Sequence, residues 1–190
     1  MPNKDLTDSD VWGGPAWFLI HNVTRHLVKQ NPQDNEGILA KEAVEDFFMS
    51  LAVLLPCSVC QTNYRQKLSD DSFCEHLDKW EDLDVWGFEL HNKVNKMLEK
   101  KEMSLDTYKK MYQKVDKKKS MEFIKILEEL YIEEVMAISE IQNLKTMLNS
   151  LVVLNPTRKI YDQKRINKEK ERVCKIYNYQ TLRKYFHEEF

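Results

Sequence analysis

Trp12-Gly13-Gly14-Pro15-Ala16-Trp17-Phe18-Leu19-Ile20-His21-Asn22-Val23-Thr24-Arg25-His26-Leu27-Val28 reads as a single helix with one buried face. Trp17, Ile20, His21, Thr24, Leu27 and Val28 recur at three- and four-residue spacing, which puts them on one side of a helix. Ser9 or Asp10 offers an N-cap oxygen, Pro15 is expected in the first turn, and Asn31-Pro32 ends the segment. The same repeat continues downstream. Leu39, Ala43, Phe47, Leu51 and Leu54 mark a second helix from about Gly37 to Leu55. A third starts at Pro56-Cys57 and runs through Tyr64 to Leu68, before the polar turn Ser69-Asp70-Asp71-Ser72. After a short connecting helix, Leu83, Trp86, Leu90, Val94 and Leu98 mark a fourth, and a shorter fifth covers roughly Ser104–Val115. These pieces predict a compact all-α bundle.

Composition removes several alternatives. The chain is 42% hydrophobic, with eight Phe, eight Tyr and four Trp, which is ample for a core. Its four glycines form neither a dinucleotide-binding fingerprint nor a P-loop. The net charge of −2 points to no nucleic acid and no anionic membrane. The charge is unevenly placed, since residues 151–190 carry ten Lys/Arg against five Asp/Glu. Because Glu and Lys alternate there, a solvated helix face is the expected reading, with binding of a partner or RNA as the alternative. Leu51–Leu55, the longest apolar stretch, is too short for membrane insertion, and Met1-Pro2-Asn3-Lys4-Asp5 lacks the apolar run of a signal peptide. A cytoplasmic location is therefore expected. With four cysteines in a reducing compartment, a close pair points to catalysis or metal binding.

Pro56-Cys57-Ser58-Val59-Cys60 is that pair. Residues i and i+3 are neighbours on a helix, within reach of disulfide closure. Opening the helix at Cys57 puts its sulfur at the positive end of the helix dipole, which favours the reactive thiolate. A zinc site from Cys57, Cys60, Cys74 and His76 is the competing reading, and an incidental pair is the third. A thioredoxin-like reading fails because that motif needs a βαβ context.

Two further motifs stand on helices. Trp17 and His21 share a face, suited to a flat aromatic ligand or simply to a core. His91-Asn92-Lys93-Val94-Asn95 follows Trp86-Gly87, with His91 and Asn95 on one face. An imidazole can stack on a purine while carboxamides read its edge; the alternative is a solvated face over a buried Val94. In the order W-G-x-x-x-W-x-x-x-H, P-C-x-x-C, H-N-x-V-N, the three motifs resemble the Erv/ALR family of FAD-linked sulfhydryl oxidases over about Val11 to Met111. The oxidases of large cytoplasmic DNA viruses are the most similar in pattern.

The resemblance implies a four-helix bundle with a short fifth helix and FAD in the bundle mouth. It divides the chain into an FAD-binding oxidase domain at 1–118 and a helical C-terminal extension at 119–190. Cys57 and Cys60 would be the catalytic pair, with Cys57 meeting the substrate and Cys60 facing the flavin. Trp12 and Trp17 would line the flavin site, His21 would sit near the isoalloxazine or ribityl chain, and Tyr64 would pack close by. His91 and Asn92 would contact the adenine nucleotide, with Asn95 and Lys96 nearby; Lys96, Lys100 and Lys101 are candidates for the pyrophosphate. The implied partners are thiol-bearing proteins, O2 as acceptor with H2O2 as product, and a second copy in a homodimer. A viral setting implies the host cytoplasm, a late-stage pathway that oxidises virion proteins, and virion association.

Two features depart from the family pattern. No second shuttle pair is present, and Cys74 and Cys174 are left over, as two reduced thiols or as a bridge or relay. The apolar pattern at 119–154 (Phe123, Ile126, Leu127, Leu130, Val135, Ile138, Ile141, Leu144, Leu148, Leu151) must be buried against something. It could dimerise, cap the flavin bundle or dock to a virion, with a last helix following Asn155-Pro156. Two other functions stay open at this point: a zinc-stabilised interaction module, and a scaffold docking through its basic tail.

Overall fold

The structure, a computed structural model, describes residues 5–113, 117–132 and 138–154, and every regular element among them is helical. In order these are α1 (Ser9–Leu27), α2 (Asn35–Leu54), α3 (Ser58–Asp70), a 3-10 turn (Phe73–His76), α4 (Trp80–Met97), α5 (Leu105–Met111), α6 (Lys117–Ile132) and α7 (Ile138–Leu154). The all-α expectation holds: α1 to α4 surround one core and α5 is the short fifth helix. No helix among the described residues is long and apolar enough to cross a membrane.

Side-chain caps set the starts. Asp8 accepts from the Asp10 N–H at 2.9 Å, Asp34 from Gly37 at 2.7 Å, and Ser104 from Thr107 at 3.2 Å. The α1 cap is thus Asp8, ahead of the expected Ser9 or Asp10. Pro15 falls in the second turn of α1, where it cannot donate to the Val11 carbonyl. Gly37 allows the first turn of α2 to fold onto the preceding loop, because a Cβ there would lie 2.1 Å from the Asn31 carbonyl oxygen.

Helix α1 is buried on nearly every side, from Trp12 and Ala16 through Leu19, Ile20 and Val23 to Leu27. It packs on α4 along one flank and on α6 along another, while α2 packs on α3 and α7. Gly87 of α4 sits under Thr24 of α1, where a Cβ would meet Thr24 Cγ2 at 3.4 Å, so the two helices come close. Phe47, Phe48, Leu51 and Leu83 belong to the same continuous core as Phe123, Leu127, Leu144 and Leu148 of the last two helices. Each such side chain, removed from water, stabilises the fold by about 1.5–3 kcal/mol. Phe123, Ile126, Leu127, Leu130, Ile141, Leu144, Leu148 and Leu151 of the apolar pattern at 119–154 are therefore buried inside the chain, on two helices that cover α1 and α2, while Val135 lies outside the described residues. Cys174, most of the basic segment and the last expected helix lie outside the described residues.

Candidate active site

Cys57 and Cys60 are joined in a disulfide, with their Cα atoms 5.1 Å apart. Cys57 is the N-cap of α3 in extended conformation, and its sulfur accepts the Cys60 N–H at 3.2 Å. The helix thus begins at Ser58, and Pro56 precedes the cap instead of occupying the first helical position. The consequence for the sulfur is the expected one: Cys57 Sγ stands at the positive helix end with an amide donor aimed at it. The corner between α2 and α3 is tied down. The Gln61 side-chain amide donates to the carbonyls of Val53 at 2.8 Å and Leu55 at 2.9 Å, and Arg65 Nε donates to that of Ala52 at 3.1 Å. The bonds to Ala52 and Val53 occupy carbonyls that the end of α2 would otherwise leave unpaired, and the Leu55 carbonyl also accepts the Cys57 N–H at 2.8 Å.

A cavity of about 360 Å3 opens beside this corner, within the range of small-molecule sites. Trp12 and Trp17 of α1 line it, together with Cys60 and Tyr64 of α3 and His91 and Asn95 of α4. Its wall includes a pair of stacked rings: Trp17 lies on His91 with centroids 4.1 Å apart and planes 7° from parallel, and His21, 5.1 Å from His91 and 5.7 Å from Trp17, adjoins both from outside the cavity. His21 Nε2 and His91 Nδ1 are 2.9 Å apart and share one proton.

The protonation state of this pair follows from what surrounds it. His21 is fully buried, and its Nδ1 has no hydrogen-bond partner. An orphaned N–H is costlier than an orphaned lone pair, so the His21 proton belongs on Nε2, donated to His91 Nδ1. That leaves the His91 proton on Nε2, and the neutral His91 is a donor at the cavity wall.

A second polar centre holds α1, α4 and α5 together. The buried Asp84 carboxylate accepts from Arg25 at 2.8 Å and Thr24 at 3.2 Å, and also from the Tyr108 hydroxyl. Tyr108 presents its ring edge-on to His21 with centroids 4.8 Å apart. Asn92 pins the loop after α4, donating to the Met103 carbonyl and accepting the Met103 N–H, both at 2.8 Å. At the cavity rim Lys100 reaches Asp10 at 3.5 Å.

Burial holds the His21 imidazole well below the ordinary histidine range, helped by His91 and Arg25, and pushes His91 down to about 4. Burial likewise raises the Tyr112 hydroxyl to about 12, and keeps Tyr64 and Tyr108 protonated. The histidine shifts set a pH dependence of stability. Above the unfolded value of about 6.5 both forms are neutral and nothing is lost. Below it the unfolded chain binds protons that the folded chain refuses, so stability falls as pH drops from about 6.5 towards 4. The urea midpoint should be lower at pH 5 than at pH 7.5; equal midpoints would show that the pair accepts a proton in place.

Among the residues singled out from sequence, Trp12, Trp17, Cys60, Tyr64, His91 and Asn95 line one cavity. Cys57, His21, Asn92 and Lys96 do not: Cys57 is joined to Cys60 alongside, His21 lies behind His91, Asn92 serves the loop, and Lys96 is exposed. Cys74 is an exposed free thiol, and no group of three metal-binding side chains gathers among the described residues. The zinc arrangement of Cys57, Cys60, Cys74 and His76 is therefore not assembled. Sequence reading missed Asn63, Met97, Leu98 and Tyr112 at the cavity. Two of these carried a signal: Leu98, four residues after Val94 on the apolar face of the fourth predicted helix, and Tyr112, four residues after Tyr108 on the fifth.

Comparison with known proteins places this geometry in context. The profile of the Erv1/Alr family matches residues 15–117. A putative FAD-linked sulfhydryl oxidase, 096R, of Invertebrate iridescent virus 3 is 26% identical over 105 residues, covering 55% of this chain and 68% of that protein. An FAD-linked sulfhydryl oxidase of African swine fever virus (isolate Tick/Malawi/Lil 20-1/1983) is 30% identical over 102 residues, covering 54% of this chain and 80% of its own length. The mitochondrial FAD-linked sulfhydryl oxidase ERV1 of Saccharomyces cerevisiae is 26% identical over 108 residues, or 57% of this chain and 53% of the yeast protein. No solved structure matched the chain. With more than half its length matched by the profile, and with the redox pair set beside an aromatic cavity, the chain belongs to the Erv1/Alr family.

Proposed function

We propose that the protein is an FAD-dependent sulfhydryl oxidase that forms disulfide bonds in thiol-bearing proteins and passes the electrons to O2. The observation that carries this reading is the shared cavity: Cys60 of a closed redox pair lines the same space as the Trp17–His91 stack. The residues fit FAD. The cavity is bounded by flat rings that match an isoalloxazine, and Trp12, Trp17, Tyr64 and His91 would hold it. Asn95 adds a carboxamide, and Lys100 at the rim supplies a cation for a phosphate.

A donor thiolate attacks Cys57 Sγ; the Cys57–Cys60 bond breaks and Cys60 leaves as a thiolate at the cavity wall. The donor's second thiol then resolves the mixed disulfide, so the donor is oxidised and both cysteines are reduced. The Cys60 N–H and the start of α3 stabilise a thiolate on Cys57, which makes Cys57 a good leaving group in that second step. Bound FAD supplies a two-electron acceptor that O2 restores with formation of H2O2. The chain's share is to hold Cys60 at the cavity on a corner pinned by Gln61 and Arg65.

The likeness to oxidases of two large DNA viruses supports a role in host cytoplasm, in a pathway that oxidises virion proteins, with virion association. Residues 1–118 serve as the oxidase domain and 119–190 as its extension. A homodimer would have to use surfaces other than the flanks of α1 and α2 that α6 and α7 cover. The purified protein should be yellow, with flavin absorption bands and FAD released on denaturation. A colourless protein that stays colourless after incubation with FAD would overturn the proposal and favour a non-catalytic scaffold.

A further inference from the structure

We infer that helix α6 is a brace for the cofactor site, and that Phe123 is a positioning residue acting through Trp12. The inference rests on the FAD reading above and extends it to a part of the chain beyond the family match, which ends at residue 117. Trp12 is a cavity-lining residue, buried to 6% exposure, on the first turn of α1. Its indole N–H donates to the Thr7 carbonyl at 3.2 Å, which fixes one edge of the ring. Phe123 lies 6.4 Å from it, centroid to centroid, with the planes at 45°. Phe123 has no exposed surface and belongs to the same core as α1. A helix end is the part of a helix most prone to fray. Here Pro15 removes one backbone hydrogen bond in the following turn, so the first turn is held less by its own ladder. The packing of α6 on α1 supplies the missing restraint, and it does so at the residue that forms the cavity wall.

The restraint is local, which makes it separable from general stability. Helix α7 packs on α2, and its Leu148 is also buried in the shared core. Phe123→Ala and Leu148→Ala each leave a cavity and should lower the thermal midpoint by similar amounts. They should differ in affinity for FAD. In the full-length chain, titration of the apoprotein with FAD should show binding weakened about tenfold in Phe123→Ala, with a shifted flavin absorption band. Leu148→Ala should bind FAD within about twofold of the wild type. Phe123→Leu, which keeps most of the apolar volume, should restore folding and most of the affinity. It also keeps the test readable if the alanine variant does not fold. Equal weakening in Phe123→Ala and Leu148→Ala, or unchanged affinity in Phe123→Ala, overturns the brace while leaving the oxidase reading intact. A wild-type chain that takes up no FAD at all overturns both.

Discussion

Replacement of Cys57 or Cys60 by serine should abolish dithiol-driven oxygen consumption, by a factor on the order of 10^3 or more, while the protein stays yellow. The size of the effect follows from the chemistry. Electrons leave the donor only by thiol–disulfide exchange, and one sulfur cannot exchange. Retention of colour follows from the structure: Cys60 contributes one small side chain to a wall that also carries the rings of Trp12, Trp17, Tyr64, His91 and Tyr112, and Cys57 contributes none. The two variants should differ in detail. Cys60→Ser leaves Cys57 as a single thiol at the helix start, able to attack the disulfide of an already oxidised donor and hold one of its sulfurs as a mixed disulfide while the other leaves as a thiolate. Cys57→Ser leaves the thiol at the cavity wall. Residual turnover near the wild-type rate in either variant, measured with an oxygen electrode, would place the catalytic pair elsewhere.

Replacement of His91 by alanine should weaken FAD binding by about 10–100-fold and also destabilise the fold. The ring stack with Trp17 is lost, and aromatic pairs contribute about 0.5–1.5 kcal/mol beyond their buried area. The donor at the cavity wall is lost as well. Behind it, the buried His21 Nε2 loses its hydrogen-bond partner, at a cost of about 1–3 kcal/mol to stability. The stability loss should show in a urea titration of the apoprotein, and the affinity loss in an FAD titration below the denaturant threshold. A variant with unchanged FAD affinity would mean that the Trp17–His91 stack is only core.

Much of this was legible in the sequence. The helical repeat at Trp17, Ile20, Thr24 and Leu27 survives as α1, because periodicity records a helix face turned to a core, although Leu19 and Val23 show the helix buried on other sides as well. The three- and four-residue spacings of Cys57 with Cys60, and of His91 with Asn95, needed only helix geometry to be read. What stayed hidden depends on contacts between distant segments. His21 and His91 are 70 residues apart, and nothing local reveals that one sits behind the other. The Asp84 centre joins residues of α1, α4 and α5, and apart from Thr24 on the buried face of α1 each looks like an ordinary surface charge or tyrosine in isolation. The pattern at 119–154 showed that a face must be buried, but amphipathicity does not say against what. The structure shows α6 on α1 and α7 on α2.

The most direct test is anaerobic mixing of the yellow protein with a small dithiol, followed at the flavin absorption maximum. Rapid bleaching in the wild type and none in Cys60→Ser is the expected pair of results, with colour returning when air is admitted. Bleaching of Cys60→Ser at the wild-type rate would show that electrons reach the cofactor without passing through the sulfur at the cavity wall, which contradicts the mechanism derived from its position.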